Sequence, residues 1–500
     1  MPMIDEPRPA RKLLKRKYYK LQVWGTLAVI TTVAGVLQLH GIAAKSLWLD
    51  EGASISLVHL DWYDFVRVLW RRELNMVLYY VFLREWIHWG DSVAFLRGLS
   101  VLFAVAAVPA IFFLGRRMYG TNVGLVSALL LSVNAFQVRY AQEVRSYSLL
   151  ALLVILSSTC YVAAARSGHR RNWNLYIAAT VLSIYAHFFA VLVVVSQIAA
   201  LFSINYCRAT DTNIANTKSW PEFRRALLLI ALLTLPSWIF IATTGPEPVT
   251  WIPPLRAGDI LHVLRAISGN ANSILLALYA VCVLVGVLTV FRGDSSQPDR
   301  RCYTVVVACW FFVPLLVILA VSVLRPMFVP RYLIICLPAW VLLAAVGVTS
   351  LRPRLLRGVV LMMTVWLAVN GVRSYYKADF DIGRNDVRSA TAYILNHSLP
   401  GDGILFDIPP TRFPFEYYAA HSSAKNKPDM IWVESDSVMT WRDFLGYRPS
   451  TERIAEFTAN HSRLWVLGLP EFKPPDSTQL AFRLVDKQEF PYIRVYLYER

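Results

Sequence analysis

Asp50 and Glu51 are adjacent carboxylates in the stretch Ser46-Leu47-Trp48-Leu49-Asp50-Glu51-Gly52. The stretch follows directly on the first long apolar run, 21–40. If that run crosses a membrane, the pair lies where hydrocarbon gives way to water. Carboxylates there are costly to desolvate and available for proton chemistry. The bland alternative is an acidic loop at a helix end. Further along, 139–147 reads Arg139-Tyr140-Ala141-Gln142-Glu143-Val144-Arg145-Ser146-Tyr147. His187 falls between two apolar runs, and Arg325 and Arg331 flank Pro326-Met327-Phe328-Val329-Pro330. Taken singly, each has an ordinary reading. Arginines at span ends snorkel to the interface, His187 suits a hydrogen-bonded helix end, and Glu143 could pair with Arg139 or Arg145. Taken together, they supply what a site for an anionic lipid head needs. Arginine gives bidentate contacts to phosphate, and a carboxylate supplies a base. Asp50, Glu143 and His187 could also hold a divalent metal.

These residues need a membrane scaffold to position them, and the composition provides one. The 500 residues are 56% hydrophobic and only 17% charged, with a mean hydropathy of +0.45. Such a chain is not a soluble globular protein. The net charge of +17 does not point to nucleic acid, because the basic residues cluster between apolar runs. That is how a polytopic membrane protein marks its cytoplasmic side. The six cysteines show neither metal-ligand spacing nor a disulfide framework, and read as small buried hydrophobes.

Apolar runs at 21–40, 98–115, 122–139, 147–165, 173–187, 188–206, 224–243, 272–291, 303–324, 332–350 and 355–372 predict about eleven spans. The basic N-terminal segment, Arg8 to Lys20, puts the N-terminus inside and suits an anionic lipid surface. Alternating sides from there gives inner loops that are all basic: Arg116-Arg117; Arg166 with Arg170-Arg171; Arg208, Lys218 and Arg224-Arg225; Arg292 with Arg300-Arg301; and Arg352-Arg354-Arg357. Asp50, Glu143, His187 and Arg331 then share the outer side. The segment 75–90 is apolar but short and holds Arg84, Glu85 and His88. Counting it as a span would put every later basic cluster outside, so it reads as an interfacial helix.

After Gly371 apolar runs shorten to strand length, at 403–406, 430–433, 464–467 and 493–498. Helical patterns lie between them at 384–396 and 451–459. Strands alternating with helices predict a soluble α/β domain. The expected division is therefore a transmembrane domain over 1–372 and a periplasmic α/β domain over 373–500.

Leu47-Trp48-Leu49-Asp50-Glu51-Gly52, Leu78-Tyr79-Tyr80, Leu114-Gly115-Arg116-Arg117-Met118-Tyr119-Gly120, Tyr140 to Tyr147 and Pro330-Arg331-Tyr332 occur in that order. The set resembles the bacterial dolichyl-phosphate-mannose–protein mannosyltransferase-like family. That family belongs to the membrane-integral C-type (GT-C) glycosyltransferases, as does the aminoarabinose transferase acting on lipid A. The match covers roughly 20–350. It implies a polyprenyl-phosphate-linked sugar donor and transfer on the non-cytoplasmic face. By position, Asp50 matches the acidic residue of the first outer loop and would be the base, with Glu51 its acidic neighbour. Glu143 matches the acidic residue of the second outer loop. Arg331 matches the arginine that would hold the donor phosphate, with Arg145, Arg139 and His187 as further candidates. Where relatives carry Pro-Pro before Leu-Tyr-Tyr, this chain has Met76-Val77.

The expectation is an inverting glycosyltransferase of the bacterial inner membrane, acting on a hydroxyl of protein, lipid or glycan. The alternative is a transporter or flippase for a lipid-linked anion. It would use the same arginines without needing Asp50, but the chain shows no paired Gly/Pro-broken spans in two halves.

Overall fold

The computed structural model describes residues 8–208, 219–244, 252–269, 273–292, 298–378, 384–407, 409–431, 451–470 and 482–500. Lys218, and Trp432 and Val433 of the second expected strand, lie outside these. The helices in chain order are α1 (Arg8–Leu39), α2 (Leu49–His59), α3 (Trp62–Val68), α4 (Val77–Trp86), α5 (Val93–Tyr119), α6 (Thr121–Ser132), α7 (Ala135–Ala141), α8 (Tyr147–Ser167), α9 (Arg170–Ala186) and α10 (Val191–Arg208). They continue with α11 (Ser219–Leu233), α12 (Leu235–Thr244), α13 (Ala257–Ile267), α14 (Ser273–Arg292), α15 (Pro298–Leu324), α16 (Leu337–Ser350), α17 (Arg354–Lys377), α18 (Val387–His397), α19 (Arg412–Ala420) and α20 (Thr451–Ala459).

Among the described residues seven helices are long and apolar enough to cross a membrane, and nine if each of two bent pairs makes one span. The chain is a multi-pass membrane protein. Each of the eleven apolar runs holds a helix, but the 17-residue α9 and the apolar stretch Phe188–Ile204 are shorter than a full span. His187 separates them, its backbone extended at φ −169° and ψ 133°. The bend of 60° between α6 and α7 also has a side-chain cause. The Asn134 Oδ1 accepts from the Phe136 and Gln137 N–H groups at 2.9 and 3.2 Å, starting a new helix there. Helix α4 has ten residues, about 15 Å of rise, so it cannot span and fits the interfacial reading.

The chain divides into two compact units. The first comprises Met1–His40, Ser100–Gln142 and Ser146–Ala378 and is a helical bundle. Helices α14 and α16 cross closely. An ideal Cβ on Gly347 would lie 1.7 Å from the Cys282 carbonyl oxygen, so only glycine lets these backbones meet.

The second unit comprises Gly41–Leu99, Glu143–Arg145 and Asp379–Arg500. It holds α2 to α4 and a five-stranded sheet: β1 (Gly403–Phe406), β2 (Asp429–Met430), β3 (Arg463–Gly468), β4 (Arg483–Phe490) and β5 (Ile493–Glu499). Their order is β2-β1-β3-β5-β4. β1 pairs with β2 and β3 in parallel, and β5 pairs antiparallel with β3 and β4. Trp465 and Leu467 of β3 pack with α18 residues such as Val387 and Ile394, while Leu464 and Val466 pack with Phe482 and Tyr496 on the opposite face. Burial on both faces explains why β3 is an unbroken apolar run.

Candidate active site

Helix α2 opens with Asp50 and Glu51 in its first turn, where the helix dipole favours negative charge. The two carboxylates then part company. Glu51 is fully buried. Its Oε1 accepts from Arg97 Nε at 2.8 Å, and its Oε2 from Arg97 Nη2 at 2.7 Å, a bidentate pair. Oε1 also accepts from the Val144 N–H at 2.9 Å. Burial alone would push the Glu51 carboxyl up, but the Arg97 guanidinium overrides it and holds the group below its ordinary value. Arg97 spends its remaining donors on the loop before α2: Nη1 on the Ile42 and Lys45 carbonyls at 2.7 and 3.0 Å, Nη2 on the Ser46 carbonyl at 3.1 Å. Glu51 thus ties the start of α2 to Arg97 and to the segment 143–145.

Asp50 stays one-third exposed and lies 3.8 Å from Arg145 Nη2. Arg145 Nη1 donates to Ser54 Oγ at 3.2 Å and to Tyr80 Oη at 3.0 Å. Tyr80 in turn donates to Glu73 Oε2 at 2.8 Å. Burial raises the Glu73 carboxyl above its ordinary value, with Arg145 only partly opposing it. Burial likewise raises the Tyr80 hydroxyl well above its ordinary value, so it stays a neutral donor. The chain from Glu73 through Tyr80 aims the Arg145 guanidinium at the exposed carboxylate. Glu143, fully buried, accepts from Arg384 Nη2 at 2.6 Å.

The C-terminal part of the second unit builds much of this frame. Arg388 Nη2 donates to the Ala43 and Lys45 carbonyls at 2.8 and 3.2 Å, and its guanidinium lies 5.4 Å from the Tyr418 ring. The Leu47 N–H donates to Tyr418 Oη at 2.7 Å. Gly52 lets the chain at Phe413-Pro414 lie directly on α2: an ideal Cβ would sit 2.6 Å from both N and Cδ of Pro414. Gly52→Ala is therefore expected to cost about 1–3 kcal/mol by overpacking, seen as a lower melting temperature of the solubilised protein. An unchanged melting temperature would contradict this contact.

Asp50, Glu51, Glu143 and Arg145 thus come together in the second unit. Arg139, His187 and Arg331 belong to the first. There Arg139 is buried with its guanidinium 5.1 Å from the Tyr140 ring. His187 Nδ1 accepts from the Phe189 N–H at 3.3 Å, and its ring is 5.7 Å from that of Tyr332. The Arg331 guanidinium is 5.8 Å from the same Tyr332 ring. Among the described residues no group of three His, Cys, Asp or Glu side chains could hold a metal ion.

Sequence reasoning missed Arg97, Glu73, Tyr80, Arg384 and Arg388 as parts of the site. Tyr80 belongs to the Leu78-Tyr79-Tyr80 motif, and Arg384 and Arg388 to a segment that reads as structural. Arg97 looks like any basic flank of an apolar run.

A mostly helical chain with these apolar spans and a small C-terminal α/β sheet has the GT-C membrane fold of the solved structures it resembles. Among solved structures the chain is similar to ArnT from Cupriavidus metallidurans bound to undecaprenyl phosphate, at a TM-score of 0.61 and 13% identity, covering 95% of this chain and 98% of that one. It is also similar to the oligosaccharyltransferase AglB from Archaeoglobus fulgidus in complex with an inhibitory peptide and a dolichol-phosphate, at 0.54 and 9%, covering 90% and 70%. A third is the arabinofuranosyltransferase AftD from Mycobacteria, at 0.51 and 13%, covering 95% of this chain and 40% of that one. No protein-family profile and no curated protein matches the sequence.

Proposed function

We propose that the chain is an inverting glycosyltransferase. It moves a sugar from a polyprenyl-phosphate donor to a hydroxyl acceptor on the periplasmic face of a bacterial inner membrane. The observation that carries this reading is the division of labour at α2. One carboxylate, Glu51, is consumed in holding the frame, and its neighbour Asp50 is left solvent-accessible beside a guanidinium. The solved structures of similar fold support a lipid-phosphate donor, since two of them were obtained with undecaprenyl phosphate or dolichol-phosphate.

In the proposed reaction Asp50 takes the acceptor hydroxyl proton as the oxygen attacks the anomeric carbon. The bond from that carbon to the phosphate oxygen breaks, and polyprenyl phosphate leaves with the electron pair. Phosphate is already a good leaving group, so no general acid is needed, unlike an ordinary glycosidic bond. Arg145 offsets the growing negative charge. Arg331, Arg139 and His187 keep the donor-phosphate role that the resemblance implies. Glu51 and Glu143 act as positioning residues, the first through Arg97 and Val144, the second through Arg384. The N-terminus is cytoplasmic and the α/β domain over 373–500 periplasmic, where it braces the loop before α2.

The test is incubation of the purified protein in liposomes with labelled polyprenyl-phosphate sugars of the mannose, glucose, arabinose and aminoarabinose types. Release of free polyprenyl phosphate with sugar transfer supports the reading. Movement of intact donor across the bilayer without release would replace it with a flippase.

A further inference from the structure

In the first unit an open groove of about 450 Å³ runs along α17 beside α6. Leu129 of α6 and Leu355, Met362 and Val365 of α17 line it, and Arg354 stands at one end. From Arg354 to Val365 the helix rises about 16 Å, close to half the ~30 Å hydrocarbon thickness and so the depth of one leaflet. Gly358 forms part of its wall. Apart from its chain neighbours and the nearby backbone of its own helix, no protein atom lies within 4 Å of where its Cβ would be. Glycine weakens a helix interior relative to alanine, and here no neighbouring backbone requires it. The residue keeps open a space that the protein itself does not fill. Arg352, exposed, stands beside Arg354, and Arg357 one turn on donates to the Leu351 carbonyl at 3.1 Å. An apolar trough lined at Arg354 by a guanidinium matches a chain with an anionic head.

We propose that this groove binds one acyl chain of an anionic phospholipid, with the lipid phosphate on Arg354. The site is independent of the reaction proposed above. Basic residues at a membrane surface attract anionic lipid by an increment of about fivefold each, and the trough adds apolar contact that a flat helix face lacks.

Native mass spectrometry of the full chain tests this, with phosphatidylglycerol and phosphatidylethanolamine supplied in equal amounts. The wild type is expected to retain one phosphatidylglycerol in preference to phosphatidylethanolamine. Arg354→Gln should lower that preference about fivefold. Gly358→Leu, which meets open space rather than protein and removes a helix-weakening glycine, should remove the retained lipid without lowering the melting temperature. Equal retention of the two lipids by the wild type would overturn the proposal without recourse to any variant. So would retention of phosphatidylglycerol undiminished in both variants. Displacement of phosphatidylglycerol by stoichiometric undecaprenyl phosphate would also overturn it, since the occupant would then be a polyprenyl chain.

Discussion

Arg97→Met will destabilise the protein by about 3–5 kcal/mol, the cost of leaving a buried carboxylate without its partner. Glu51 is fully buried and loses both parallel bonds to Arg97. The loop before α2 loses its ties at Ile42, Lys45 and Ser46 as well. A fall in melting temperature on the order of 5 °C is expected for a chain of this length. The double variant Glu51→Leu/Arg97→Met should recover part of it, because it removes the stranded charge. Acid should reveal the same pair. The folded Glu51 carboxyl titrates below its ordinary value. Its contribution is therefore fully present above that ordinary value and is lost as pH falls through the lower folded one. Melting curves recorded across that range should show this loss in the wild type and a flatter profile in Glu51→Gln. A melting temperature unmoved by Arg97→Met would mean the pair does not hold the frame.

Asp50→Asn will lower the rate of sugar transfer by about 10²–10⁴-fold, the usual yield of a positioned base. Asparagine keeps the shape and cannot accept the proton. The fold should barely register the change. Asp50 is one-third exposed and pairs with Arg145 at 3.8 Å, a partly solvated ion pair of the kind that contributes little to stability. The contrast is the useful part: adjacent residues on one helix turn, one expected to govern stability and the other turnover.

Much of the membrane architecture was legible because apolar runs of span length are a direct reading of bilayer thickness. The two places where span length fell short were decided by backbone geometry at His187, which no hydropathy run displays. In the C-terminal sheet, β1, β3 and β5 were visible because burial makes them apolar. β4, Arg483–Phe490, was not, because an edge strand carries Arg483, Asp486, Lys487 and Glu489 and so hides its period. Helix α19 was missed behind Pro409, Pro410 and Pro414. At the site, acidic motifs pointed to Asp50, Glu51 and Glu143, but adjacency in sequence could not tell a base from a brace. That distinction rests on Arg97 and Arg384, each far along the chain from the carboxylate it pairs with, and on Glu73, which reaches Arg145 only through Tyr80.

The release of polyprenyl phosphate from a labelled donor, compared between wild type and Asp50→Asn in liposomes holding equal amounts of folded protein, bears most directly on this account. The wild type should release it together with product of inverted anomeric configuration, and the variant should fall by at least about a hundredfold. Near-normal release by Asp50→Asn would show that another group takes the proton and that the exposed carboxylate of α2 is not the base.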